Sequence, residues 1–225
     1  MPVSSIANLH PVATLVMDLK PRRVLDIGVG FGLYGALCRQ ILDIADGRYE
    51  RAEWQAQIRG IENYADYRNP LWDYCYDSVV IGDARRLLPQ LGRVELVLCC
   101  DVIEHFSKSD GLALIEQFLS QSECAIVSTP LVFMSDENSY TRRNPCEQHL
   151  SHWEPRDFRP WVREERFTSM TGIYLLSAGK RSGRIGYTST DSYELRRVIR
   201  NCLPQAAVRA VRAARRALGK QRSAP

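Results

Sequence analysis

Val24-Leu-Asp-Ile-Gly-Val-Gly-Phe-Gly32 is the stretch on which the fold turns. Val24 to Ile27 reads as a short buried strand, and a helix-length segment from Leu33 to Ala45 follows at once. Between them, glycines at 28, 30 and 32 let the backbone turn tightly and admit a ligand where a Cβ would block it. NAD, FAD and nucleotide sites use similar turns, so the spacing has to choose among them. A dinucleotide fingerprint needs glycines at 28, 30 and 33, but position 33 is Leu. No Lys-Ser or Lys-Thr follows the loop, which excludes a phosphate-cradling P-loop.

Outward from this loop, β-branched runs alternate with helix-length segments. Val24 to Ile27, Ile58 to Glu62, Ser78 to Ile81, Val94 to Cys100 and Ala125 to Ser128 read as strands. Leu33 to Ala45, Tyr64 to Leu71, Ala84 to Leu88 and Lys108 to Gln121 read as the helices between them. Such alternation predicts crossover units and a parallel sheet covered on both faces. A lead-in helix within residues 1–20 is expected from the spacing of Val12, Leu15, Val16 and Leu19, with Pro11 in its first turn and Pro21 closing it. Beyond Pro130 comes a polar stretch to His152, then a short helix from Pro155 to Arg163. Runs at Phe167 to Thr171 and Ile173 to Ala178 are expected to close the sheet as a hairpin. The main domain is thus read over 1–178, a Gly/Ser/Thr-rich linker over 179–190 and a helical tail over 191–225.

The 225 residues carry 30 Lys+Arg against 26 Asp+Glu, a net of +4 that averages two unlike parts. Residues 1–180 hold 19 basic and 24 acidic side chains, whereas residues 181–225 hold 11 and 2. With 45% hydrophobic residues the chain is neither disordered nor fibrous in bulk. No apolar run reaches the length of a membrane span, since Leu96 to Cys100 ends at Asp101. Met1 to Asn8 carries no positive charge, so no signal peptide is read and a cytoplasmic protein is expected. The seven cysteines (38, 75, 99, 100, 124, 146, 202) contain no C-x-x-C pair and suit reduced thiols.

Asp26-x-Gly28-x-Gly30-x-Gly32 after a strand resembles the first motif of class I S-adenosylmethionine-dependent methyltransferases. The order of elements over residues 20–178 is similar to theirs. The resemblance implies a Rossmann-like, doubly wound α/β fold: a mostly parallel seven-stranded sheet, helices on both faces and a C-terminal antiparallel hairpin. It also implies S-adenosylmethionine as cofactor and a methyl-transfer activity. In that family an acid ending the second strand holds the ribose hydroxyls, and Glu62 stands there; one carboxylate can accept from both. The interval from Asp26 to Glu62 is longer than usual, and the excess is assigned to an insertion around Asp46 to Trp54. An acid after the third strand contacts the adenine amino group, which matches Asp83, although by itself Asp83 suits a helix N-cap. The family sets strands one and four side by side, so Asp101 is expected to face the glycine loop. Asp26, Gly28, Gly30, Gly32, Glu62, Asp83 and Asp101 form the expected cofactor-binding set.

Asp101-Val-Ile-Glu-His-Phe106 resembles a motif of small-molecule O-methyltransferases, including those of quinone biosynthesis, and of small-RNA 3′-terminal 2′-O-methyltransferases. If Asp101 starts a helical turn, Glu104 and His105 share its face. In some relatives an acid, Glu and His with a later His bind a divalent cation that holds the acceptor hydroxyls. Here the set is Glu104, His105 and a later histidine, His149 or His152, with Asp101 in place of the relatives' Glu, which shortens the reach. The sulfonium methyl is already activated, so catalysis is alignment plus removal of one proton from an oxygen acceptor. His105 or His149 could take that proton, or a bound Mg²⁺ could lower the hydroxyl pKa. Asp-Val-Ile-Glu replaces the Asp/Asn-Pro-Pro-aromatic segment of amino-methylating DNA enzymes. Pro145-Cys146 falls outside the place of the nucleophile in cytosine C5 enzymes.

The expected acceptor is therefore a hydroxyl of a small molecule or glycan precursor. The tail keeps a second class open. In residues 205–218, Ala207, Val208, Val211, Ala214 and Leu218 share one helical face and Arg209, Arg212 and Arg216 another. Such a helix could contact RNA, making the chain an RNA methyltransferase of 2′-O type, or lie on anionic lipid, or dock on the acidic body or a partner subunit.

Overall fold

A computed structural model describes residues 4–133 and 144–179. The strands arise where β-branched and apolar residues run together: β1 (Arg23–Ile27), β2 (Gln57–Glu62), β3 (Ser78–Ile81), β4 (Val94–Cys100), β5 (Ser122–Pro130), β6 (Val162–Phe167) and β7 (Thr171–Leu176). They make one seven-stranded sheet in the order β3-β2-β1-β4-β5-β7-β6. All neighbouring pairs from β3 to β5 are parallel, and β7 runs antiparallel to both β5 and β6. The expected Rossmann-like sheet with a terminal hairpin is therefore the observed one, and the chain order reverses between β1 and β4. Ile27 lies beside Cys99 there, so the residues after both strands emerge together.

Among the described residues five helices flank the sheet: α1 (Leu9–Leu19), α2 (Leu33–Leu42), α3 (Pro70–Cys75), α4 (Ala84–Leu87) and α5 (Lys108–Ser120). α2 packs against both α1 and α3, and α4 packs against α5, in two separate groups. On the α5 side Leu114, Ile115 and Phe118 are fully buried against Val97, Cys99 and Val127, at about 2 kcal/mol for each side chain. Trp153, Phe158 and Tyr174 extend that core as a ring stack, with centroids 5.4 and 4.1 Å apart. Cys38, Cys75, Cys99 and Cys100 are buried free thiols, as expected, while Cys146 is exposed. Among the described residues no helix is long and apolar enough to cross a membrane.

Three sequence expectations are corrected. The helix read over 64–71 is a 3-10 turn at Ala65–Tyr67 followed by α3, because Asn69 caps Leu71 N–H (2.8 Å) and Pro70 opens the helix. The helix read over 155–163 is only a 3-10 turn, Pro155–Phe158, and the chain is already a strand at Val162. The first hairpin strand is Val162–Phe167 rather than 167–171: the Thr168 hydroxyl accepts from the N–H groups of Met170 and Thr171 and closes the turn there. β6 is hard to read because its sequence, Val-Arg-Glu-Glu-Arg-Phe, puts charge on both faces. Its half-buried positions are Val162, Glu164 and Arg166, and the last two pair at 2.6 Å. The stretch expected to be an insertion forms two 3-10 turns, Ile44–Asp46 and Arg51–Glu53. Residues 180–225, which hold most of the expected linker and all of the basic tail, lie outside the described residues.

Candidate active site

The loop after β1 lies over the carboxyl end of the sheet, and its conformation explains its composition. Gly28 (φ +76°) lies so close to β4's continuation that an added Cβ would meet Val102 Cγ2 at 2.4 Å. Glu62 ends β2 and pins the loop: one carboxylate oxygen accepts from Gly30 N–H and the other from Tyr64 N–H, both at 2.8 Å. Burial pushes the Glu62 carboxyl up while these backbone donors oppose it. From α3, Trp72 Nε1–H donates to the Gly30 carbonyl at 2.9 Å. Tyr76, just after α3, donates its hydroxyl to Asp26 at 2.5 Å and accepts from Gly35 N–H at 3.0 Å. A Cβ on Gly35 would fall 2.0 Å from the Tyr76 ring, so glycine there is what lets the tyrosine slide under the loop.

A cavity of about 420 Å³ opens above, walled by Gly28, Gly30, Glu62, Asp83, Asp101 and His105 among others. Asp26 and Gly32 are not in its wall. Asp26 sits beneath the loop, where burial pushes its carboxyl up to about 7 against the Tyr76 hydrogen bond. Asp83 is both wall and N-cap of α4, accepting from Arg85 N–H at 2.9 Å. Its hydrogen bonds from the Arg85 guanidinium, 2.6 Å at the closest, hold its carboxyl below the ordinary range. Asp101 follows β4 in the left-handed region (φ +54°), so no helical turn starts at it. The turn is instead a 3-10 turn at Ile103–His105.

The segment returning after β5 is tied to that turn. The Glu104 carbonyl accepts from Leu150 N–H (2.8 Å) and Ser151 N–H (3.1 Å), which brings the His149 ring to 5.0 Å from His105, centroid to centroid. His105 Nδ1 faces the Gln148 carbonyl at 3.2 Å; a carbonyl only accepts, so Nδ1 carries the proton and Nε2 is the basic nitrogen. Burial pushes the His105 pKa down, favouring the neutral ring. Glu104 is buried, with Oε2 lacking a partner, and burial reinforced by Asp101 raises its pKa well above the usual range. Glu104, His105 and His149 each offer a ligand atom, all within 4.8 Å of one another. His152 is not in that group; its Nε2 lies 3.1 Å from the Leu131 carbonyl. The two imidazoles and one carboxylate do not fit Mg²⁺, which takes oxygen ligands; they fit Zn²⁺, Mn²⁺ or Co²⁺ better.

Sequence reading missed the opposite wall. Tyr67 donates to Glu147 (2.8 Å) and accepts from Asn144 (3.1 Å), and Asn63 Nδ2 lies 3.0 Å from Cys146 Sγ. All five residues line the cavity. Asn-Pro at 144–145 is a turn signal, but its partner after β2 lies some 80 residues away and carries no mark in the sequence.

No protein-family model matches the chain, and no curated protein matches it. Solved structures do. The N-terminal domain of EvdMO1, solved in the presence of SAH and D-fucose, is 16% identical with a TM-score of 0.50, over 77% of this chain and 83% of that one. Magnesium protoporphyrin IX methyltransferase (ChlM) from Synechocystis PCC 6803 with bound SAH is 15% identical with a TM-score of 0.52, over 76% and 82%. An O-methyltransferase family protein from Burkholderia thailandensis is 13% identical with a TM-score of 0.53, over 77% of this chain and 56% of that one. At these identities the likeness is one of fold, and the fold is the Rossmann-like one of these methyltransferases.

Proposed function

We propose that the chain is an S-adenosylmethionine-dependent methyltransferase that methylates a hydroxyl of a small molecule or glycan precursor. The observation that carries this reading is the cavity itself. Its wall brings together the glycine loop, Glu62, Asp83, Asp101 and His105, and the resemblance assigns Glu62 to the ribose and Asp83 to the adenine; burial pushes the His105 pKa down, which favours a neutral ring able to accept a proton. Structural neighbours solved with SAH support the cofactor, and the D-fucose present with one of them supports a sugar-like acceptor. In this reading His105 Nε2 accepts the acceptor's proton while the carboxylates favour the cationic sulfonium. The alternative to proton transfer by His105 is a cation site: Glu104, His105 and His149 would hold a borderline ion rather than Mg²⁺, His105 Nε2 then being a ligand instead of the proton acceptor and the ion lowering the pKa of the acceptor hydroxyl. Visible absorption of added Co²⁺, lost in Glu104→Gln and His149→Ala, checks it without reference to activity.

Calorimetry with S-adenosylmethionine, followed by a labelled-methyl screen of metabolites and RNA with and without divalent cations, tests the activity. Once an acceptor is known, His105→Ala should lower turnover about 100-fold at unchanged cofactor affinity. Unchanged turnover in both His105→Ala and His149→Ala removes the proton-transfer assignment. The basic tail supports the RNA reading, which predicts steeply salt-dependent binding that vanishes when residues 181–225 are deleted. Methylation of the true acceptor that survives this deletion rejects it.

A further inference from the structure

Asp101 is held by a residue that no motif contains. The Asn8 side-chain amide, at the entry to α1, reaches across 93 positions of sequence to the Asp101 carboxylate, with Nδ2 3.1 Å from one oxygen and 3.5 Å from the other. Ser128 at the end of β5 donates its hydroxyl to the same carboxylate at 2.9 Å. A carboxylate only accepts, so the amide orientation is settled: the NH₂ faces Asp101. Asn8 is fully buried, and its own Oδ1 has no partner.

This contact is built at a double disadvantage. Asn8 leaves a buried carbonyl oxygen unsatisfied, and Asp101 adopts a left-handed backbone that a non-glycine residue rarely takes. An apolar residue at position 8 would relieve the first, and glycine at 101 the second. Two unfavourable features meeting at one hydrogen bond, in the wall of the cofactor cavity, are the pattern expected of a constraint kept for function. Ser4, four residues earlier, lines the same cavity, so the lead-in segment is a wall of the site as well as a cover for α2.

We infer that Asn8 is a positioning residue: together with Ser128 it fixes the Asp101 carboxylate in the orientation that receives the cofactor. This inference rests on the methyltransferase reading above. The two donors, from different elements, remove the rotational freedom of the carboxylate before the ligand arrives.

Calorimetric titration of the full chain with S-adenosylmethionine and S-adenosylhomocysteine tests it. Asn8→Ala should weaken cofactor binding about tenfold, the scale of a lost hydrogen bond to a charged group. Asn8→Asp, the same shape with a repelling charge, should weaken it further, and Asn8→Ser, which restores a donor, should recover part of the loss. On an Asp101→Ala background, Asn8→Ala should add nothing, whereas a residue acting only on the fold adds its full effect in both backgrounds. Wild-type-like affinity in Asn8→Ala, or additive losses in the cycle, overturns the inference and leaves the methyltransferase reading standing. A wild-type chain that binds neither ligand overturns both.

Discussion

At the amino-terminal edge of the sheet, Arg39 donates to Asp43 (2.5 Å), Asp77 (3.2 Å) and the carbonyls of Ala56 and Cys75, with its guanidinium 4.0 Å from the Trp54 ring centroid. Asp43 in turn accepts from Arg48 and from Gln55 N–H at 2.8 Å each. Burial would raise the Asp43 carboxyl, yet these donors hold it below the ordinary range. At the carboxyl edge, Glu104 and Asp26 are buried just as deeply, but each keeps an oxygen without a partner and a raised pKa. One cluster saturates its charges, tying down the turns of the insertion between α2 and β2. The other leaves acceptor oxygens without partners, Asp26 beneath the glycine loop and Glu104 in the turn after β4, and buried polar groups left incomplete are where function is to be sought.

The largest effect should come from breaking the saturated cluster. Arg39→Ala strands Asp43 in the interior and should cost about 3–5 kcal/mol, read from denaturant or thermal unfolding. The unsaturated cluster should respond in the opposite sense. Glu104→Gln removes a buried carboxyl that has no partner on one oxygen, and should raise stability by about 1 kcal/mol or more at neutral pH while abolishing Co²⁺ binding. A destabilised Glu104→Gln would show that this carboxyl is as structural as Asp43.

A smaller effect concerns pH. A carboxyl in the unfolded chain titrates near pH 4 and Asp26 in the fold at about 7. The folded form therefore binds the extra proton. The stabilisation is complete below about pH 4 and is lost as pH rises through about 7. Asp26→Asn should flatten the fall in unfolding midpoint over that interval, and a slope unchanged by the substitution would refute the raised pKa. The smallest effect separates the two loop histidines: His152→Ala should leave Co²⁺ binding unaltered, whereas His149→Ala should remove it.

The sequence made one edge of the sheet far more legible than the rest. The glycine loop, Glu62 and Asp83 could be placed because each follows directly on a β-branched run, where local sequence and position in the fold coincide. β6 could not, since an edge strand with Glu164 and Arg166 on its inner face has none of the apolar alternation that marks a strand. The choice of His149 over His152 depends on two backbone hydrogen bonds to the Glu104 carbonyl, and three residues of spacing cannot foretell them. Asn8, Tyr67 and Glu147 were invisible for a related reason: each acts on a partner about 80 or more positions away, and one sequence holds no trace of such a pairing.

β6 also determines how the sheet meets other chains. Among the described residues it is the last strand in the order, so its outer backbone groups have no ladder partner there. An incoming strand would have to align with Arg163, Glu164, Glu165 and Arg166 in succession, setting charges beside its own side chains on both faces. The charges that hid this strand from sequence reading are thus of the kind that disfavours edge-to-edge pairing at this side of the sheet.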